Sequence, residues 1–150
     1  MIRVQPEVFD VGAELAALTA GRTDIGALAS FVGLVRDYAD APITAMTLEH
    51  YPGMTERKLA EIEVEAGARW PLQASLIVHR YGRMLPGEPI VLVATASPHR
   101  AAALEACAFL IDWLKTKAPF WKLEETTAES RWVEARSSDD LAADRWRERD

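Results

Sequence analysis

Two lysines seven positions apart, Lys115 and Lys122, are the residues of this sequence with the most chemistry to offer. An amine can serve as nucleophile, as acid–base group or as fixed positive charge. A free lysine titrates near ~10.4, so a nucleophilic role needs burial or a neighbouring cation. Each lysine can supply that neighbour for the other. Lys115 falls in the last turn of an expected helix, and Pro119 prevents that helix from running on to Lys122. A chain reversal at Ala118-Pro119 would bring both amines to one pocket. Two further cationic positions stand out. Arg36 follows an apolar run, and His99-Arg100 opens a helix. A helix start exposes backbone N–H groups that suit a phosphate, and Arg36 and Arg100 could add charge-assisted hydrogen bonds.

Each of these residues also has a plainer use. A lysine in the last helical turn complements the helix dipole. Lys122 could be a solvated strand residue, His99 could face water, and Arg36 could pair with a carboxylate. Phe120 and Trp121 read as core rather than as a stacking platform. From residue types alone the site is an anion-binding pocket with two amines, and its substrate stays open.

The bulk properties narrow the classes. The chain has 150 residues, 49 % of them hydrophobic and 27 % charged, which suits one globular domain spanning 1–150. A net charge of −6 argues against broad binding to nucleic acid or anionic membrane. Neither a signal peptide nor an apolar run of membrane-spanning length is indicated, so a cytoplasmic location is expected. The single cysteine, Cys107, allows no internal disulfide. His50, His79 and His99 lack metal-ligand spacing, so neither a metal nor a cofactor is expected.

The elements that must position these residues follow from periodicity and punctuation. Ile2 to Gln5 reads as a short strand, and Asp10 as the cap of a helix through Glu14, Leu15 and Leu18. Residues 26–37, GALASFVGLVRD, are apolar on both faces and read as a buried strand. Residues 45–51 form another strand, closed by the Pro52-Gly53 turn. Leu59, Ile62, Ala66 and Trp70 recur at helical steps over 54–70, and Pro71 stops that helix. Ala74 to Tyr81 and Ile90 to Ala96 are strands on either side of a turn at MLPGEP. Ser97 is the expected N-cap of the next helix, with Pro98 at its first position. That helix carries Leu104, Cys107, Ile111 and Leu114 on its apolar stripe and ends near Lys117. FWKLEE and RWVEA read as two short strands. The polar tail 138–150 reads as a loose helix at most. Irregular mixing of strands and helices gives an α+β (mixed α/β) class.

The strings FVGLVRD (31–37), LEHYPGM (48–54), SPHR (97–100), LKTKAPFWK (114–122) and RWVEAR (131–136) resemble, in order and spacing, the signature blocks of the molybdopterin synthase large-subunit family. The resemblance runs from about Gly26 to Arg136. It implies an α/β hammerhead-type fold and a homodimer. It also implies a heterotetramer with a small ubiquitin-like sulfur-carrier subunit ending in a Gly-Gly thiocarboxylate. The implied activity is a sulfurtransferase reaction: sulfur passes from that thiocarboxylate to cyclic pyranopterin monophosphate, forming the dithiolene of molybdopterin. Carried over by position, the family's catalytic lysines fall on Lys115 and Lys122. Its pocket arginine falls on Arg36, flanked by Leu34 and Val35, and its His-Arg pair on His99 and Arg100. Leu123, Glu124 and Arg136 match further pocket positions. The chain departs from the family at Leu34 and Leu123, where basic residues are usual, and in the loop DYADAPIT after Arg36. Two other classes fit the sequence less well. A non-catalytic docking module would need neither lysine, and a nucleic-acid binder stacking bases on APFWK lacks a basic stripe.

Overall fold

A computed structural model of the chain describes residues 1–133 and 137–147. Twelve elements follow one another: β1 (Ile2–Gln5), α1 (Val11–Thr19), β2 (Ala27–Leu34), β3 (Ala45–His50), α2 (Met54–Arg69), β4 (Ala74–Arg80), β5 (Gly82–Met84), β6 (Pro89–Ser97), α3 (Arg100–Lys117), β7 (Phe120–Glu125), β8 (Ser130–Val133) and α4 (Ser137–Asp144). They build two four-stranded sheets, ordered β1-β4-β6-β2 and β5-β3-β7-β8. The α+β class expected from the sequence is the one observed.

The apolar runs of β4 and β6 are continuous because both faces of the first sheet are covered. Ile77, Val91 and Val93 point to one side, where Leu59, Ile62 and Ala66 of α2 and Phe109, Leu110 and Leu114 of α3 close the main core. Leu76, Val78, Leu92 and Ala94 point to the other side and meet Phe9, Leu15 and Leu18 around α1. Asp10 caps α1 as expected, its carboxylate accepting from the Ala13 amide at 2.9 Å. A third cluster, Val35, Ile43, Met46, Leu48 and Met84, joins the second sheet to the end of β2.

The structure corrects four expectations. The 26–37 run is not a fully buried strand. β2 lies at the sheet edge, and Leu28, Phe31 and Leu34 are exposed at 39 %, 37 % and 56 %. Apolar faces alone could not reveal that position. Ser97 does not cap α3. It ends β6 with its hydroxyl donating to the Pro71 carbonyl at 3.0 Å, and His99 takes the cap position without a side-chain bond. Leu104 does not lie on the buried stripe of α3, which runs through Ala103, Ala106, Cys107, Phe109, Leu110 and Leu114. The tail is not loose as far as residue 147. Trp146 is buried against Trp70 and Phe109, its indole N–H donates to Asp112 at 2.7 Å, and its carbonyl accepts from Arg69 at 2.6 Å.

Gly26 is required where β2 meets the start of α3. Its amide donates to the Ser97 carbonyl at 3.1 Å, and a Cβ there would lie 2.0 Å from the Pro98 carbonyl oxygen.

Candidate functional site

The reversal between the two lysines is built from backbone and one hydroxyl. α3 ends at Lys117, and Ala118 leaves it in an extended conformation at φ −82° and ψ 130°. Pro119 follows, and the chain enters β7 antiparallel to β3. Thr55, fully buried at the start of α2, donates from its hydroxyl to the Pro119 carbonyl at 3.0 Å. The same hydroxyl accepts from the Tyr51 amide at 3.0 Å. The Gly53 amide, on the positive-φ residue of the turn, donates to Glu56 at 2.6 Å. The LEHYPGM segment thereby holds the joint between α3 and β7.

Alternation along β7 then decides what faces inward. Phe120, Lys122 and Glu124 share one face, opposite His50, Leu48 and Met46 of β3. Phe120 and Lys122 line a cleft of about 260 Å³ that also receives Lys115 from α3, His79 from β4 and Asp139 from α4. Lys115 is exposed and Lys122 half-buried, so the cleft has one amine at its mouth and one on its wall. Glu124 is only 6 % exposed on the same strand face as Lys122. The cleft therefore combines two amines, the Asp139 carboxylate and an apolar floor. Such a site can hold an anion and move protons.

His79 forms part of that floor. It is 3 % exposed and stacks on Phe120 with ring centroids 3.8 Å apart and an interplanar angle of 18°. Burial drives its pKa from 6.5 down to about 3 against the opposing hydrogen bond to the Arg80 carbonyl; the charges of Lys115 and His50 push the same way as burial. The ring is neutral at physiological pH. His50 packs on Tyr81 at 4.3 Å and faces Glu56 at 3.5 Å.

The remaining residues singled out in the sequence distribute themselves unevenly. Glu124 shares the Lys122 face of β7 but is not among the described residues that line the cleft. Leu123 alternates to the opposite face, where it pairs with Trp132, so its side chain does not reach the cleft. The side chain of Val35 is buried among Ile43, Met46 and Met84. Leu34 is exposed at the end of β2. The Arg36 guanidinium lies 4.8 Å over the Tyr38 ring. The loop after it is organised by Asp37, whose carboxylate accepts from the Tyr38 and Ile43 amides at 2.9 and 3.0 Å. The Asp37 side chain thus closes the loop onto Ile43, in place of an Asn/Gly-rich turn. Trp121, expected in the core, is 48 % exposed. Arg136 lies outside the described residues.

His99 and Arg100 are exposed at the far end of α3. At 1.5 Å per residue the helix separates Arg100 from Lys115 by about 22 Å. Arg36 does not join them. β2 runs antiparallel to β6, with Ala27 opposite Ser97 and Leu34 opposite Pro89. Arg36 is therefore at the lysine end of the sheet, and roughly 25 Å of strand separates it from the α3 start. A single phosphate held by Arg36 and Arg100 of one protomer is excluded by this register.

The sequence reading missed His79, His50 and Asp139. The signal for His79 was a histidine in phase with Ile77 on an otherwise apolar strand, which places it inward. Its neighbours could not be known without the packing of β7 across the end of β4. Among the described residues, no group of three or more His, Cys, Asp or Glu side chains could hold a metal ion. No helix among them is long and apolar enough to cross a membrane.

Known proteins resemble this chain over most of its length. Residues 4–117 match the family described as MoaE protein. The chain belongs to that family. A molybdopterin synthase catalytic subunit from Pseudomonas aeruginosa is 57 % identical over 148 residues, covering 98 % of this chain and 99 % of the relative. A MoaE protein of molybdopterin biosynthesis from Burkholderia ambifaria superposes with a TM-score of 0.84 at 55 % identity, covering 97 % of both chains. A molybdopterin synthase structure from Staphylococcus aureus gives a TM-score of 0.82 at 30 % identity, with 88 % of this chain and 96 % of the other covered. As a MoaE protein the chain keeps its family fold through both sheets, and the lysine cleft lies where the two sheets and the end of α3 meet.

Proposed function

We propose that this MoaE protein is the catalytic subunit of a molybdopterin synthase, a sulfurtransferase of molybdenum cofactor biosynthesis acting in the cytoplasm. Its substrate is cyclic pyranopterin monophosphate, and its sulfur comes from the C-terminal thiocarboxylate of a small ubiquitin-like carrier. The observation that carries the reading is the convergence of Lys115 and Lys122 on one cleft from two different elements. Lys115, at the mouth, meets the carrier's tail and acts on the reacting centre, either as acid–base group or by taking the carrier's acyl group as an isopeptide. In the second case the amine loses a proton and the acyl C–S bond breaks as the sulfur stays with the pterin. Lys122, on the wall, stabilises anionic intermediates. Cys107 has no part in sulfur delivery: it is buried in the core, and burial pushes its thiol up to about 11.

The uncapped start of α3, with His99 and Arg100, supports a second role as a site for the substrate's phosphate. Within one protomer it is too far from the lysines to serve the same small molecule. Both sets can act on one substrate only if a second copy of the chain supplies one of them, as a homodimer would allow. Arg36 belongs with the lysine half.

Single-turnover conversion with excess thiocarboxylated carrier tests the reading. Lys115→Ala is expected to lose on the order of 10²–10⁴-fold in rate, and Lys122→Ala to be strongly reduced. Wild-type rates in both would leave the chain a docking scaffold. Mixing Lys115→Ala with Arg100→Ala protein is expected to restore part of the activity. No restoration would refute the shared site.

A further inference from the structure

The cleft that receives Lys115 and Lys122 also receives a carboxylate. Asp139 reaches it from α4, is half-buried, and is the one acid among the described residues that line it. Its helix is clamped to the body of the chain. Just past the last turn of α4, Arg145 Nη2 and Trp146 Nε1 both donate to Asp112 Oδ2 at 2.7 Å, and Ala143 and Trp146 are buried. Asp112 stands three residues before Lys115 on α3. The clamp that holds α4 and the amine at the cleft mouth therefore share one helix.

The plainer use for Asp139 is to complement the dipole at the start of α4. Asp140 stands beside it in that first turn and serves the dipole equally, exposed and outside the cleft lining. The dipole thus accounts for an acid in this turn and not for one at a wall shared with two amines. A site meant only to attract negative charge is weakened by such an acid. The start of α3 is built the other way: His99 and Arg100 stand there, and its first turn has no acidic residue. A repulsive group in an otherwise attractive site is a means of rejecting the wrong partner.

The partners it can separate differ in charge. Coulomb energy scales with the product of the two charges. Whatever other charges stand nearby, a carboxylate in the wall opposes a dianion twice as strongly as a monoanion at the same place. A thiocarboxylate tail carries one negative charge, and so does a cyclic phosphate, which is a diester. Free phosphate and phosphate monoesters carry up to two.

We propose that Asp139 is a specificity-determining residue of the lysine cleft: its carboxylate admits singly charged anions, the carrier's tail among them, and turns away phosphate dianions that two amines would otherwise hold. The proposal rests on the reading of this cleft as the place where the carrier's tail arrives, and it adds what keeps the abundant competing anions out.

The test uses the full chain as wild type, Asp139→Asn, Asp139→Glu and Asp140→Asn, at pH 8 and constant ionic strength. The readout is protection of Lys122 from an amine-acylating reagent, followed by peptide mass spectrometry with Lys58 as the internal reference. Two probes are compared: inorganic phosphate, chiefly a dianion at that pH, and a short peptide ending in a Gly-Gly carboxylate. Energies add and binding factors multiply, so the phosphate gain on losing the carboxylate is the square of the peptide gain. Asp139→Asn is expected to strengthen protection by phosphate about tenfold and by the peptide about threefold. Asp139→Glu and Asp140→Asn are expected to stay near wild type. Unchanged phosphate protection in Asp139→Asn would overturn the proposal. So would an equal gain for both probes, or an equal effect of Asp140→Asn, because the acid would then act through the general field of the tail. If the peptide protects Lys122 in no form while phosphate gains about tenfold in Asp139→Asn, the assignment of the cleft to the carrier's tail falls, and Asp139 still stands as the group that excludes the dianion.

Discussion

Acid should weaken this protein through one identified ring, and the size of the effect follows from its surroundings. His79 titrates at 6.5 when free and near 3 in the folded chain, chiefly because burial disfavours the cation. A histidine with a depressed folded pKa contributes stability that is complete above 6.5 and lost as pH falls toward 3, since only the unfolded chain binds the proton in that window. Each unit of that window is worth up to about 1.4 kcal/mol. Between pH 7 and pH 5 the loss from this group alone comes to about 2 kcal/mol. His79→Phe keeps the stack against Phe120 and removes the titration. The assay is urea unfolding of wild type and variant at pH 7 and pH 5 at one protein concentration, with midpoints converted through a common slope. Every other titrating group is shared, so the difference between the two pH dependences isolates His79. Wild type is expected to lose about 2 kcal/mol more than the variant. Parallel curves would refute the reasoning, and would mean that the ring reaches water or gains a counter-charge on protonation.

Further expectations follow from other parts of the structure. Trp146→Ala should destabilise the chain by about 3–5 kcal/mol, measured by urea unfolding, because it empties an aromatic cluster of the main core. Thr55→Val should cost about 1–3 kcal/mol and lower single-turnover activity as well, since it strands the Tyr51 amide and the Pro119 carbonyl together. Cys107 should resist iodoacetamide at pH 8 in the native protein and react once urea unfolds it, as its buried thiol titrates at about 11. Arg100→Ala should weaken substrate binding in calorimetry and leave affinity for the carrier unchanged.

Much of the scaffold was legible because its signals were local. The β-branched runs of β4 and β6, the helical spacing of Leu59, Ile62 and Ala66, and the Pro119 break each rest on residues within one segment. The failures came where a neighbour distant in sequence decides. Ser97 has the chemistry of a helix cap, but β6 extends one residue further and its hydroxyl finds the Pro71 carbonyl instead. Leu104 has the right spacing on α3 and faces solvent at 60 % exposure, because small alanines at 103 and 106 bring the helix close to the sheet. β5 is three residues long and begins at a positive-φ glycine, leaving almost no pattern to read. The resemblance pointed to Lys115, Lys122 and Glu124; the structure brings the two lysines to one cleft and leaves Glu124 on the same face of β7 outside its lining. The separation of His99-Arg100 and Arg36 required the β2–β6 register, and His79 required the packing of one sheet against the other.

The Thr55 hydroxyl ties the turn before α2 to the peptide between the two lysines. Stability and activity are usually separable traits, since different residues carry them and selection can trade one against the other. Here a single oxygen atom holds both the turn and the joint between the lysine-bearing elements, so on the proposed reading the two traits are tied at this position. Both of its partners are backbone groups, the Tyr51 amide and the Pro119 carbonyl, so the joint depends on the hydroxyl at position 55 and not on which side chains flank it.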